Sequence, residues 1–165
     1  MKKEMRKNRL ISIDPSINTM GAAVWDIGDK KLLAWGLVKP DKACRENVYD
    51  KCYSILEQIK KWKSQYAVNR IICEVPDYWF AAGFEARESR SIEKLMFVCG
   101  ILYSMKGELD EFVFVKPREW KGQMPKGVVK NRLRDTYLSQ VDLEKINENI
   151  MDAIGIGHFY LYGKV

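Results

Sequence analysis

Apolar residues fall into runs and stripes that divide the 165-residue chain into alternating strand and helix patterns. Leu10, Ile11 and Ile13 precede the turn Asp14-Pro15-Ser16 and Ala22 to Trp25 follow it, which predicts two strands joined by a tight turn. Asp26 to Lys30 reads as a hairpin-type turn, and Lys31 to Val38 as a third strand in which Gly36 marks a bulge or a close approach. From Asn47 to about Tyr66, Val48, Cys52, Ile55, Leu56, Ile59 and Trp62 recur at helical intervals opposite a charged face, so an amphipathic helix is expected. Ile71 to Val75 is a short buried strand closed by Pro76. Ile92, Leu95, Met96, Cys99, Leu102 and Tyr103 predict a second helix, Ile92 to Lys106, with Gly100 allowing close packing. Phe112 to Val115 is another strand, closed by Pro117. A helix from near Gly127 carries Val129, Leu133 and Tyr137 inward, and a last one runs near Glu148 to Tyr162 with Gly155 and Gly157 as packing positions against the sheet. This order is an α/β pattern: the first three strands form an antiparallel meander, and the later ones return by helical crossovers. Without linker, repeat or low-complexity segment, residues 1–165 read as one domain.

Composition sets bounds on this picture. Hydrophobic residues at 47% and charged residues at 30% are ordinary for a globular domain with a proper core. The net charge of +6 favours a polyanionic partner, of which nucleic acid is the commonest. The basic start has no apolar targeting core and no run reaches membrane-spanning length, so neither a signal peptide nor a membrane partner is expected. Cys44, Cys52, Cys73 and Cys99 lack CxxC spacing and the chain has one histidine, which implies buried, reduced thiols in a cytoplasmic protein and argues against zinc.

Candidate chemistry begins with the parity of the strands. Ile11 and Ile13 point one way and Ser12 and Asp14 the other, so Asp14 ends an apolar strand as a carboxylate that is costly to desolvate. One reading is a turn in which the Asp14 side chain bonds the backbone two residues on. The other is a divalent-metal ligand, which requires partners. Glu74 ends the Ile71 to Val75 strand in the same way, sharing a face with Ile72. On the last helix, Glu148, Asn149 and Asp152 fall on one face, while His158 lies roughly 120° around from Asp152 and outside the group. Carboxylates aimed at one spot repel unless neutralised, and hard divalent cations with oxygen ligands, Mg²⁺ above all, do this. Two such ions about 3.5–4 Å apart suit phosphodiester hydrolysis.

The motifs IDPSINTMG, a strand ending IICEV, a basic Pro-x-x-x-Lys segment and a DAIGIG helix, taken together and in this order, resemble the RuvC family of Holliday-junction resolvases, in particular its phage-type relatives. The resemblance covers nearly the whole chain. It implies an RNase H-like fold with a five-stranded mixed sheet, and a homodimeric endonuclease that cuts branched DNA, four-way junctions or possible flaps and forks, with two Mg²⁺ or Mn²⁺ ions. Asp14, Glu74 and Asp152 match three of the family's four metal-binding acids. At the fourth position, three residues before Asp152, this chain has Asn149, which brings no charge and cannot act as a base; Glu148 stands one residue off register and is the alternative ligand.

The segment VKPREWKGQMPKG matches the family's basic stretch, placing Lys121 and Lys126 at phosphates near the scissile bond, Lys121 as a catalytic residue. Lys116, Arg118 and Lys130 extend the expected DNA surface, whereas Arg132 and Arg134 read as solvated charges. In the family an aromatic residue after the second carboxylate enters the junction centre. Asp77 stands at its usual place, so the role passes to Tyr78, Trp79 or Phe80, with Arg87 and Arg90 nearby; Tyr78, Trp79, Phe80 and Phe84 also fit a plain cover over the second helix. Three rival readings remain: an actin-like phosphate-handling ATPase, for which 165 residues are too few, an RNase H-like nuclease acting on RNA, and a branched-DNA-binding protein weakened in catalysis at Asn149.

Overall fold

The computed structural model describes residues 8–44, 47–76, 91–137, 146–163 and 165. Strands β1 (Arg9–Asp14), β2 (Met20–Asp26) and β3 (Lys31–Val38) are followed by helix α1 (Val48–Tyr66) and strand β4 (Arg70–Glu74). Helix α2 (Ser91–Tyr103), strand β5 (Glu111–Val115), the short helix α3 (Pro117–Trp120), α4 (Lys126–Tyr137) and α5 (Glu148–Tyr162) complete the order. The sheet runs β3-β2-β1-β4-β5. β1 pairs antiparallel with β2, with Asp14 opposite Gly21, and parallel with β4, with Ile13 beside Cys73. β5 continues the parallel half beside β4. The expected five-stranded mixed sheet with an antiparallel start is therefore the sheet observed.

Both faces are covered, which is why β1 and β2 are buried almost throughout. On one face Ile11, Ile13, Val24, Ile71 and Cys73 pack against Ile55 and Ile59 of α1 and Val98 and Leu102 of α2. On the other, Leu10, Ala23, Trp25 and Ile72 pack against Ala153, Ile154 and Ile156 of α5, with Trp120, Leu133 and Tyr137 beyond. Helix α5 lies unusually close to the sheet. A Cβ on Gly157 would come 2.0 Å from Trp25 Nε1 and 2.7 Å from Ser12 Oγ, and one on Gly21 would come 1.8 Å from the Asn149 backbone oxygen. Between these two contacts the buried Ser12 hydroxyl donates to the Ala153 carbonyl at 2.6 Å and accepts from Trp25 Nε1 at 2.9 Å. Helix α5 thus runs antiparallel to β1, its first turn over the strand end that carries Asp14.

Several expectations change in detail. Helix α2 ends at Tyr103 and a 3₁₀ turn, Ser104–Glu108, follows. Its buried positions are Val98, Cys99 and Leu102, whereas Met96 and Tyr103 are exposed. The helix is apolar on most sides, so periodicity does not single out the inner stripe. Gly100 is exposed and a Cβ there would meet nothing within 4 Å, so it is no packing position. Gly36 is a close approach, to the Trp62 ring, and the register irregularity lies at Val24/Trp25 instead. Gly157 packs on the sheet as expected; Gly155 packs on Trp120 of α3. The cysteines are free, with Cys52, Cys73 and Cys99 buried. Among the described residues, no helix is long and apolar enough to cross a membrane.

Candidate active site

Parallel pairing of β1 with β4 sets Asp14 and Glu74 side by side at the carboxyl ends of neighbouring strands, the end of an α/β sheet where ligands bind. The turn after Asp14 is held by Ser16, whose Oγ accepts from the backbone N–H groups of Asn18 and Thr19 at 3.4 and 3.3 Å. That task falls to Ser16 and not to the Asp14 carboxylate. The third element arrives from the far end of the chain. Asn147 caps α5, its side chain accepting from Asn149 N at 2.8 Å, and the first turn rests on Gly21 opposite Asp14. Asn149 donates its side-chain N–H to the Thr19 carbonyl. A carbonyl only accepts, so this bond fixes the amide with nitrogen inward and leaves Oδ1 as its remaining donor atom for a cation. Glu148 stands at the rim, exposed and paired with Lys126 at 3.3 Å. Of the two alternatives for the fourth position, Asn149 is the one seated against the strand pair.

The electrostatics are those of a site short of positive charge. Burial pushes the Asp14 carboxyl up to about 8, with repulsion from Glu74 and Asp152 adding to it. Burial likewise raises Glu74, with repulsion from Asp152 adding to it, and Asp152, with repulsion from Glu148 adding to it. The ammonium groups of Lys121 and Lys126 act in the opposite direction on all three carboxylates. For Glu74 the Trp120 indole also lowers it, donating Nε1–H to Oε2 at 2.6 Å. Among the described residues, no three carboxylate, thiol or imidazole side chains stand close enough together to ligate one ion between them. The donors themselves, three mutually repelling carboxylates and an amide oxygen, fit a hard divalent cation, which would draw them inward.

The basic residues divide by position. Lys121 caps the end of α3, its Nζ 4.8 Å above the Trp120 ring, and Lys126 opens α4. Lys116 is exposed at the start of α3, where its backbone N–H donates to Glu119 at 2.5 Å. Arg118 lies with Trp120, Lys121, Met124 and Arg132 around a cavity of about 280 Å³. Lys130 is half-buried on α4. Arg132 donates to the Val165 carbonyl, and Arg134 pairs with Asp135. His158 faces away from the carboxylates, 2.7 Å from the Tyr137 hydroxyl. Tyr78, Trp79, Phe80, Phe84, Arg87 and Arg90 lie outside the described residues. Trp120 escaped notice in the sequence although it sits inside the basic segment; its signal is an isolated large apolar residue among charges, which marks an inward-facing side chain.

No family model matches the sequence. No curated protein matches it either. Solved structures do. Thermus thermophilus RuvC in complex with a Holliday-junction substrate superposes with a TM-score of 0.70 at 15% identity, over 94% of this chain and 97% of that one. A second Thermus thermophilus RuvC structure gives 0.67 at 15% identity, over 90% of each chain. The yeast mitochondrial Holliday-junction resolvase Ydc2 gives 0.56 at 12% identity, over 94% of this chain and 78% of that one. The likeness covers 90–94% of the chain, and the chain therefore has the RuvC-type, RNase H-like fold.

Proposed function

We propose that this chain is a divalent-metal-dependent endonuclease that cuts branched DNA, four-way junctions foremost. The observation that carries the reading is the placement of Asp14, Glu74 and Asp152, from β1, β4 and α5, within electrostatic reach of one another at one end of a sheet of this fold, with Lys121 and Lys126 acting on all three. Asp14, Glu74 and Asp152, with Asn149 Oδ1, would hold Mg²⁺ or Mn²⁺. When bound, a pair of such ions supplies an activated water and stabilises the leaving oxygen. The chain does the rest. Lys121 and Lys126 bind the phosphates flanking the scissile bond, and the exposed Glu148 partner of Lys126 yields to phosphate at little cost. Lys116, Arg118 and Lys130 continue the contact along the DNA arm. Asn149 orients a ligand or a water without adding charge, so a second ion is held more weakly than by four acids. Two chains act as a homodimer, since a four-way junction needs two matched cuts.

The test is junction cleavage under titrated Mg²⁺ and Mn²⁺. Asp14→Asn, Glu74→Gln and Asp152→Asn should each abolish cutting while junction affinity stays the same or improves, because each removes a cation ligand and none removes a positive charge that holds phosphate. Substantial cutting by any of the three defeats the assignment. A second reading, a branched-DNA-binding protein without nuclease activity, is favoured by Asn149 and by the spread of the carboxylates. It predicts tight junction binding by the unaltered chain and no cutting at any concentration of either metal.

A further inference from the structure

Among the described residues, Trp120 is a buried side chain that hydrogen-bonds one of the carboxylates directly. It is 1% exposed, and its only polar atom, Nε1–H, is spent on Glu74 Oε2 at 2.6 Å. Helix α5 approaches the ring so closely that a Cβ on Gly155 would lie 2.5 Å from Trp120 Cζ3 and 3.3 Å from Leu133 Cδ1. The Lys121 ammonium also stands over the ring, 4.8 Å from its centroid. The hydrogen bond spans 46 residues and joins β4 to α3 across the edge of the site. A buried indole needs some acceptor for its N–H, so packing alone explains why Trp120 is bonded. It does not explain why the acceptor is the strand-end carboxylate.

We propose that Trp120 is the positioning residue of Glu74: its N–H pins one carboxylate oxygen so that the other is presented to the divalent cation, and its ring ties that orientation to the phosphate-binding Lys121. This rests on the reading of Glu74 as a metal ligand. An outer partner that orients a ligating carboxylate is typically worth about 10–100-fold in metal affinity. The bond to an ionised group is also of the stronger, charge-assisted kind. Lys121 adds a second consequence. A phosphate that draws its ammonium away from the ring acts on the same indole that holds Glu74, so DNA and metal occupancy are coupled through one side chain.

Two measurements test this. Mn²⁺ binding, followed by the electron-spin signal of the free ion without DNA, is compared for the unaltered protein, Trp120→Phe, Glu74→Gln and the double variant. Trp120→Phe keeps the ring and loses the N–H, and should weaken Mn²⁺ binding by about tenfold or more. In the Glu74→Gln background the same change should add little, because two residues acting through one contact are not additive. Full Mn²⁺ affinity in Trp120→Phe, or an equal loss in both backgrounds, overturns the proposal. If Trp120→Phe fails to fold, the unaltered protein decides by nuclear magnetic resonance. Mg²⁺ should move the Trp120 indole N–H signal together with the backbone amides of Asp14 and Asp152, and should leave the indole signal in place in Glu74→Gln. Movement of Asp14 and Asp152 with a still indole refutes Trp120 alone; no movement at any of them refutes the metal site as well.

Discussion

His158 illustrates how much of this chain's polar chemistry is structural. Its Nδ1 lies 2.7 Å from the Tyr137 hydroxyl and its ring rests against Tyr162, over which Lys30 is poised in turn. Burial holds the imidazole below its usual value. The folded protein therefore takes up this proton less readily than the unfolded chain, and stability is lost as the pH falls below about 6.5. His158→Gln keeps an amide partner for Tyr137 and removes the titration, so its melting temperature should fall less steeply than the parent's over that range. The raised carboxylates are common to both proteins and cancel in the comparison. Calorimetric scans that run parallel from pH 7 to 5 would dismiss this account. At the same scale, Asp14 and Glu74 were legible in the sequence because each ends an apolar strand, where a carboxylate has no reason to be unless something offsets its burial. Trp120 was not, because its partner is set by the pairing of β4 with α3, which no local pattern encodes.

Among the elements, α5 has the most demanding seat. Ala at Gly157 would drive a methyl group into Trp25 and Ser12, and Ala at Gly21 would drive one into the backbone of Asn149. Overpacking of this kind typically costs about 1–3 kcal/mol, and backbone has less freedom to yield than a side chain. Gly100 on α2 meets nothing, and Ala there should stabilise by up to about 0.5–1 kcal/mol through helix propensity. Denaturant titrations of Gly21→Ala, Gly157→Ala and Gly100→Ala should show the first two losing stability and the third gaining it; any other order would mean α5 is not held as described. The α3–α4 turn makes a separate claim. Lys121→Ala and Lys126→Ala should each flatten the salt dependence of junction affinity by about one unit per lost phosphate contact. An unchanged slope would return both lysines to the solvated surface. The basic segment was legible as charge, yet the four-residue α3 inside it was not, since one helical turn capped by Pro117 and Glu119 is too short for periodicity to register.

For the whole molecule, the meander and crossovers could be read from spacing because a sheet covered on both faces writes continuous apolar strands between amphipathic helices. Which face of α2 looks outward could not be read, and the answer bears on assembly. Met96 and Phe97 are 37% and 41% exposed, and Phe97 meets Tyr49 of α1 edge-on at 5.2 Å, forming an apolar surface outside both cores. In the homodimer proposed above, a two-fold interface uses one surface on both subunits, and this exposed patch is the surface that the proposal predicts to be covered. Phe97→Glu should give monomers that cut one strand of a junction without its opposed partner. The idea fails if the unaltered protein sediments as a monomer on junction DNA. The seat of α5 has one more consequence, in the order of synthesis. The Ser12–Ala153 and Asn149–Thr19 bonds join residues 141 and 130 positions apart. During translation the strands bearing Asp14 and Glu74 leave the ribosome first, and Asp152 follows 78 residues after Glu74. A stalled or truncated product therefore carries two of the three acids and nothing to close over them.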